Sequence, residues 1–314
     1  MVDWIQPMEP ISQPYVILSD DFIHQIKWDG IRGLSYIEKG SIRVFTKSGR
    51  ERTGFYPELD EIPSLLKAKQ AVLDGEIISL NDSGKPFFQL VQVRERVNDS
   101  SKVSYYAKKY PARYIVFDIL MYDGKNLTHL PLKDRKAILS DVLRQSQNIA
   151  ITDDFLNGEA LFALMKEKSW EGIVSKRISS PYTGGKNHAH WYKTKMLKKL
   201  LAIVCGLSMK DNHPNSLILG IYQNQGFVYI GNASIGLTQE HFRLLKESIP
   251  LLETNKSTFN RNIPGLKTVI WLKPLLTCWV GFLEWTNDGS LRHPKILGFS
   301  SCKPEEANGM EFME

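Results

Sequence analysis

Cysteine is scarce in this chain, and its three cysteines follow no pairing pattern. Cys205, Cys278 and Cys302 are odd in number, lie far apart and include no C-x-x-C pair. Disulfide frameworks and cysteine-based zinc sites both need closely patterned cysteines. The sequence therefore predicts neither, and we expect a protein of the reducing cytoplasm.

Long apolar segments are missing as well. Apolar runs such as residues 200–209 and 274–283 reach about half of the ~20 residues that a membrane-spanning helix needs. The N-terminus carries Asp3 and Glu9 and has no apolar core after a basic start, unlike a secretory signal peptide. We therefore expect no membrane association.

Length and charge are those of an ordinary globular protein with a mild basic bias. The 314 residues are 42% hydrophobic and 24% charged, and 40 Lys and Arg against 34 Asp and Glu give a formal net charge of +6. A chain of this length corresponds to about two domains. The positive excess favours approach of an anionic partner such as nucleic acid but does not identify one.

The pattern of secondary structure changes near Met196. Before it, strand-like segments alternate with amphipathic ones, including a predicted helix at residues 56–66. After it, five short strand-like segments accompany one predicted helix at residues 238–249. We predict an α+β domain at residues 1–196 and an all-β domain of the OB-fold type at residues 197–314.

The most specific local pattern is Lys27-Trp28-Asp29-Gly30-Ile31-Arg32. Asp-Gly is a favoured pair in hairpin turns, so the ordinary interpretation is a tight turn between two strands. From average residue usage, K-x-D-G-x-R arises by chance in a chain of this length about once in a few hundred sequences. Taken by itself, the motif leaves the hairpin and a functional lysine equally open.

Further segments follow in order and carry the resemblance to a known family. They are Leu73-Asp74-Gly75-Glu76, Phe117-Asp118-Ile119-Leu120, Glu171-Gly172-Ile173-Val174-Ser175-Lys176 and Trp191-Tyr192-Lys193-Thr194-Lys195. With the first motif they resemble the nucleotidyltransferase motifs of ATP-dependent DNA ligases, a superfamily that includes RNA ligases and mRNA-capping guanylyltransferases. The tail, with Leu291-Arg292-His293-Pro294, Gly298 and Lys303, is similar to that of bacterial end-joining ligases.

The resemblance implies a nucleotidyltransferase (adenylation) domain followed by an OB-fold domain, and it implies the reaction. ATP would be held as covalent AMP, Mg²⁺ or Mn²⁺ would assist, and nicked duplex DNA would be sealed in DNA repair. We expect a monomer that works with an end-binding repair protein and is nucleoid-associated if its source is bacterial. RNA ligation, GTP-dependent capping and a catalytically weak nick- or end-binding role stay open as alternatives.

The resemblance also assigns catalytic roles. Lys27 is the covalent nucleophile, Asp29 orients the reacting oxygen, and Arg32 grips the 5′-phosphate of the nick. Lys193 and Lys195, two apart on a strand, present their amines on one face. We expect these cations and a metal ion to lower the pKa of Lys27 and to neutralise the transferred phosphoryl group.

The implied nucleotide and metal ligands overlap with this set. Phe117 resembles the residue that stacks on adenine, Glu76 the one that contacts ribose and supports the metal, and Glu171 the better metal ligand. The predicted nucleotide-binding residues are Gln25, Lys27, Arg32, Lys47, Glu76, Phe117, Lys193 and Lys195.

The chain departs from the family pattern at several positions. Gln25 stands where related ligases have a glutamate that recognises the adenine amino group, and Lys47 where they commonly have an arginine. In the tail, Ser300 and Cys302 replace charged residues and only Lys303 remains. That motif normally orients pyrophosphate, so we expect self-adenylation to be slow or to use Arg292.

Basic clusters outside these motifs are candidates for following a DNA backbone. They lie at residues 50–52, 94–96, 108–109, 133–136 and 198–199.

Overall fold

The computed structural model describes residues 4–185, 187–210, 213–224, 226–234, 236–260, 263, 268–286 and 288–313. The chain divides into two compact units, Met1–Lys195 and Met196–Glu314. None of the helices in the described ranges is long and apolar enough to cross a membrane.

The first unit combines strands with helices. Its strands in chain order are β1 (Glu9–Ser12), β2 (Phe22–Ile26), β3 (Ile31–Glu38), β4 (Ser41–Thr46), β5 (Gln70–Ser79), β6 (Ala112–Tyr122), β7 (Lys125–Asn126), β8 (Ile149–Ile151), β9 (Gly172–Arg177) and β10 (Asn187–Lys195). Its α-helices are α1 (Ile62–Leu65), α2 (Phe88–Glu95), α3 (Val103–Lys109), α4 (Leu132–Val142) and α5 (Gly158–Lys168).

These strands form two sheets. One has the order β1-β10-β9-β2, in which β1 runs parallel to β10 and the other pairs are antiparallel. The second has the order β4-β3-β5-β6-β7, and β8 pairs in parallel with β6. An apolar cluster lies between the sheets. In it, Met8 and Trp191 from the side of the first sheet contact Leu34 and Leu120 of the second.

The structure corrects one local prediction and excludes one interpretation that the sequence left open. The segment at residues 56–66 is not one helix: it forms a 3₁₀ turn at Pro57–Leu59 and then the short helix α1. The Asp29-Gly30 pair does not close a hairpin, because β2 and β3 belong to different sheets and the segment crosses between them. The motif around Lys27 therefore lies at the point where the chain passes from one sheet to the other.

The second unit is built mainly from strands. They are β11 (Lys198–Lys210), β12 (His213–Gln223), β13 (Gly226–Ala233), β14 (Glu253–Thr254), β15 (Val269–Leu272), β16 (Thr277–Phe282), β17 (Lys295–Ser300) and β18 (Glu311–Met313). The long strand β11 pairs with β12, β15, β16 and β18 and so connects most of the sheet.

One helix of the second unit confirms its sequence prediction. The helix α6 (Gln239–Leu252) begins after Thr238, whose hydroxyl accepts a hydrogen bond from the backbone N–H of His241. This side-chain cap satisfies one of the backbone donors that a helix start leaves unpaired.

A fully buried ion pair joins α4 to the second sheet of the first unit. Arg135 on α4 donates through Nε and Nη2 to the two oxygens of Asp118 on β6, each at 2.8 Å, and both side chains have 0% exposure. Removing one partner of a buried pair leaves a charge that neither water nor protein compensates.

We therefore expect Asp118→Ala to lower the free energy of unfolding by about 3–5 kcal/mol, measured by urea denaturation. The matched control is Asp141→Ala, because the Lys67–Asp141 pair is largely exposed and should contribute less than about 1 kcal/mol. Equal destabilisation by the two variants would contradict this reading of the buried pair.

Candidate active site

A crevice in the first unit collects residues from both of its sheets. It contains a cavity of about 200 Å³. The predicted site residues that line it are Gln25, Lys27, Arg32, Lys47, Glu76, Phe117 and Lys193. Asp29, Glu171 and Lys195 do not line this cavity. Next to it, Glu171 is ion-paired with Lys195 and with Lys27.

Close backbone approaches, rather than a turn, explain the glycines of this region. A Cβ on Gly30 would lie 2.3 Å from the backbone oxygen of Ile77, and one on Gly172 would lie 2.1 Å from that of Thr194. Gly172 also has a φ of +136°, which side chains rarely adopt. Because β10 passes so close to Gly172, Lys195 comes to lie beside Glu171.

Glu171 holds two lysines. Its Oε2 accepts from Lys27 Nζ at 2.7 Å, and its Oε1 lies 2.9 Å from Lys195 Nζ. The backbone N–H of Lys27 also donates to the oxygen of Gly172 at 2.9 Å, so the main chain and the side chain of Lys27 are both anchored at the start of β9.

The expectation that positive neighbours lower the pKa of Lys27 is wrong for this structure. Burial disfavours the charged amine, but attraction to Glu171 and Glu76, the hydrogen bond to Glu171 and the charge of Asp29 outweigh it and raise the pKa of Lys27. Cations do act on Lys193. Burial and the charges of Lys195 and Lys27 together lower the pKa of Lys193. The sequence showed both kinds of charge but not which would lie nearer to Lys27.

The two glutamates near Lys27 have pKa values shifted in opposite directions. Burial raises the pKa of Glu76 to about 8, although Lys27 and Arg32 oppose this shift. Burial also acts against the charge of Glu171, but Lys27 and Lys195 hold the pKa of Glu171 below its ordinary value. Within the described residues, no group of three or more His, Cys, Asp or Glu side chains is arranged to hold a metal ion.

Arg32 is paired inside the protein. It donates through Nε and Nη2 to the two oxygens of Asp74, at 2.8 and 2.6 Å, and Asp74 is fully buried. Tyr182 donates to the same carboxylate at 2.7 Å. The guanidinium lies 4.8 Å from the centroid of the Phe117 ring, so Arg32 and Phe117 reach the cavity in contact with each other.

The remaining predicted nucleotide contacts lie at the rim and on the wall of the cavity. Lys47 is half exposed and its Nζ donates to Glu9 Oε2 at 2.7 Å. Gln25 is buried, and its Nε2 donates to Asp154 Oδ1 at 2.7 Å.

In the second unit, Arg292 is ion-paired with Glu284 at 2.8 Å.

Sequence reasoning missed Lys176. This residue on β9 is 2% exposed, lines the cavity, and its Nζ has no hydrogen-bond partner among the described residues. The amine lies 4.1 Å from the ring centroids of both Phe117 and Trp191. Burial lowers the pKa of Lys176 to about 7. The only sequence signal was its place at the end of the segment 171–176.

Several of the predicted backbone-tracking cations are not available to DNA. Arg52, Arg94 and Lys136 are buried and paired with Glu95, Glu58 and Asp154, respectively. Lys108, Lys109 and Lys133 are exposed.

Comparison with known proteins gives consistent matches. The family model for the ATP dependent DNA ligase domain matches residues 6–195, and that for the ATP dependent DNA ligase C terminal region matches residues 210–303. The multifunctional non-homologous end joining protein LigD of Mycolicibacterium smegmatis is 31% identical over 289 residues, covering 89% of this chain and 36% of that protein. This chain thus spans about a third of the length of that relative.

Other relatives and solved structures agree. A SPbeta prophage-derived DNA ligase-like protein LigB of Bacillus subtilis is 30% identical, with 66% of this chain and 73% of that protein covered. A mycobacterial DNA ligase D, solved in complex with ATP and MES, has a TM-score of 0.55 and 28% identity, and the match covers 96% of this chain and 97% of that chain. These matches confirm the predicted fold class, a nucleotidyltransferase domain followed by an OB-fold domain.

The unpaired amine of Lys176 gives a stability prediction. The folded protein holds this amine with a pKa of about 7, whereas the unfolded chain keeps its ordinary value near 10.4. Folding therefore expels a proton between these values, so this group destabilises most at pH 7 and below and less as pH rises towards 10. We expect Lys176→Met to raise the free energy of unfolding at pH 7 by at least about 1 kcal/mol.

Urea denaturation at pH 7 and pH 9.5 checks this, with the exposed Lys166→Met as control. The gain should shrink at the higher pH. A loss of stability in Lys176→Met, or a gain that does not depend on pH, would show that folding does not lower the pKa of Lys176.

Proposed function

Because this chain belongs to the family of ATP-dependent DNA ligases, we propose that it seals nicks in duplex DNA through a lysyl-AMP intermediate on Lys27. The observation that carries the proposal is the position of Lys27: the residue lines the cavity, and its amine is held 2.7 Å from Glu171, with Lys195 on the other oxygen of the same carboxylate.

The reaction fits these groups. Lys27 Nζ forms a bond to the α-phosphorus of ATP, the bond from that phosphorus to the bridging oxygen breaks, and pyrophosphate leaves. Lys27 must lose a proton to solvent before it attacks, and a cation that offsets the charge of Glu171 and Glu76 would make this loss easier. Lys193 and Lys195 supply positive charge for the phosphoryl oxygens.

A divalent cation fits the carboxylates that surround Lys27. Glu76 and Glu171 are hard oxygen donors, and Mg²⁺ or Mn²⁺ is often bound by one or two carboxylates plus substrate phosphates. A cation held there would offset the negative charge that raises the pKa of Lys27. We assign this role to Glu171 and Glu76, while Asp29 lies close enough to raise the pKa of both Lys27 and Glu76.

The wall of the cavity suits adenine. Phe117 offers a ring for stacking, and Lys176 and Gln25 line the same cavity. The Watson–Crick edge of adenine presents an amino donor beside a ring-nitrogen acceptor, so a carbonyl oxygen and an amine on the protein complement it. In this proposal Gln25 Oε1 accepts from the amino group and Lys176 Nζ donates to the ring nitrogen.

The later steps use DNA. AMP passes from Lys27 to the 5′-phosphate at a nick, and the adjacent 3′-hydroxyl then displaces it. The relative named as a non-homologous end joining protein supports a role in end-joining repair. We propose that the protein acts as a monomer on nicked duplex DNA in the cytoplasm, with an end-binding protein as partner.

The first test is the intact-mass shift of the purified protein after ATP and Mg²⁺. We expect one AMP per chain in the wild type and in Lys67→Ala, and none in Lys27→Ala or Lys27→Arg. Because the pKa of Lys27 is raised, the single-turnover rate should increase with pH from neutral to alkaline conditions. An adduct that survives in Lys27→Ala would refute the assignment.

Nicked duplex substrates separate the steps. Sealing of pre-adenylated nicked DNA but not of nicked DNA with ATP would place the limit in self-adenylation, as the altered tail with Ser300, Cys302 and Lys303 predicts. Failure on both substrates would favour the nick-binding alternative. A preference for GTP or for RNA ends would favour capping or RNA ligation.

Nick binding should depend steeply on salt. We expect the affinity for a nicked duplex to fall at least about tenfold between 50 and 200 mM salt, because cations that neutralise phosphates release counterions. Fluorescence anisotropy at a series of salt concentrations measures this slope. An affinity that stays constant over this range would contradict a phosphate-tracking surface.

A further inference from the structure

The side-chain amide of Gln25 can present either its oxygen or its nitrogen to the cavity. A primary amide carries an acceptor on one side and two donors on the other. Gln25 is 2% exposed and lines the cavity beside Lys27. Its Nε2 donates to Asp154 Oδ1 at 2.7 Å. An ionised carboxylate only accepts hydrogen bonds, so Asp154 requires the amide nitrogen on its side and leaves Oε1 as the group for a ligand.

Asp154 is itself fixed from two directions. Its neighbour Phe155 exchanges two backbone hydrogen bonds with His24, both at 2.8 Å, so the segment is tied to β2 next to Gln25. From α4, the buried Lys136 donates to Asp154 Oδ1 at 2.8 Å and to the backbone oxygen of Thr152 at 3.1 Å. The carboxylate is therefore part of a supported chain from Lys136 through Asp154 to Gln25.

We propose that Asp154, supported by Lys136, is a positioning residue that selects the nucleobase by fixing the orientation of the Gln25 amide. With Oε1 presented to the cavity, a base with an amino group at the matching position gains a hydrogen bond. A base with a carbonyl there, such as guanine, brings a second acceptor against Oε1 and is rejected, because neither oxygen can donate. This inference rests on the proposed nucleotide-binding function of the cavity.

Removing the Asp154 carboxylate should let the Gln25 amide rotate or reverse its orientation. In Asp154→Ala the amide loses its acceptor, and Lys136, left without its carboxylate partner, attracts Gln25 Oε1 instead. We expect the ratio of kcat/KM for adduct formation with ATP over GTP to fall by about tenfold or more. Asp153→Ala is the matched control: Asp153 is an exposed carboxylate like its neighbour Asp154, but Asp154 is the one that accepts from Gln25, so the control should leave the ratio unchanged.

A charge-swap pair gives a readout that a purely structural role would not produce. Gln25→Glu places two carboxylates at the 2.7 Å contact and should weaken ATP use. Adding Asp154→Asn supplies an amide donor to the new carboxylate, so the double variant should recover ATP use and its preference over GTP. If the double variant is no better than Gln25→Glu, the proposed contact does not control selectivity.

Nucleotide binding, followed by the fluorescence of Trp28 and Trp191 at the cavity, separates this inference from the proposed reaction. If the wild type binds ATP in preference to GTP but forms no adduct, the reaction fails and the binding ratios of the variants still test Asp154. A wild type that does not discriminate, or an Asp154→Ala variant with the same ratio as Asp153→Ala, would overturn the inference. Thermal denaturation of every variant identifies those that merely fail to fold.

Discussion

The ion pair between Lys27 and Glu171 is the interaction on which the crevice depends. It joins the end of β2 to the start of β9, and the second oxygen of Glu171 brings in Lys195 from β10. The contact between Glu171 and Lys195 is possible because Gly172 has no side chain, so the backbone of β10 can approach closely. A single carboxylate therefore connects the ends of three strands of one sheet.

Two lysines in one cavity have pKa values that their surroundings shift in opposite directions. Carboxylates near Lys27 raise its pKa, whereas the amine of Lys176 lies against two aromatic rings and burial lowers its pKa. The first amine keeps its proton until the charge around it changes. The second has a pKa of about 7, so it can lose its proton near physiological pH and enter a hydrogen bond with a neutral base without carrying an unpaired charge into the pocket.

The sequence predicted the two-part architecture and many of the residues that line the crevice, because ordered motifs carry that information. It did not predict the partners of those residues. Asp154 lies 129 positions from Gln25, and the rings around Lys176 come from β6 and β10, so neither environment leaves a local pattern. The Asp29-Gly30 pair is typical of a turn, but a glycine is required here because the backbone of Ile77 comes so close, and only the sheet arrangement reveals that approach.

The central claim is that carboxylates, not the neighbouring cations, govern the protonation of Lys27 in the protein without nucleotide. Side-chain ¹⁵N NMR of lysine-labelled protein, with the Lys27 signal assigned by its loss in Lys27→Arg, measures this pKa directly. The account predicts a titration midpoint above the ordinary lysine value in the wild type. A midpoint at or below the ordinary value would contradict it.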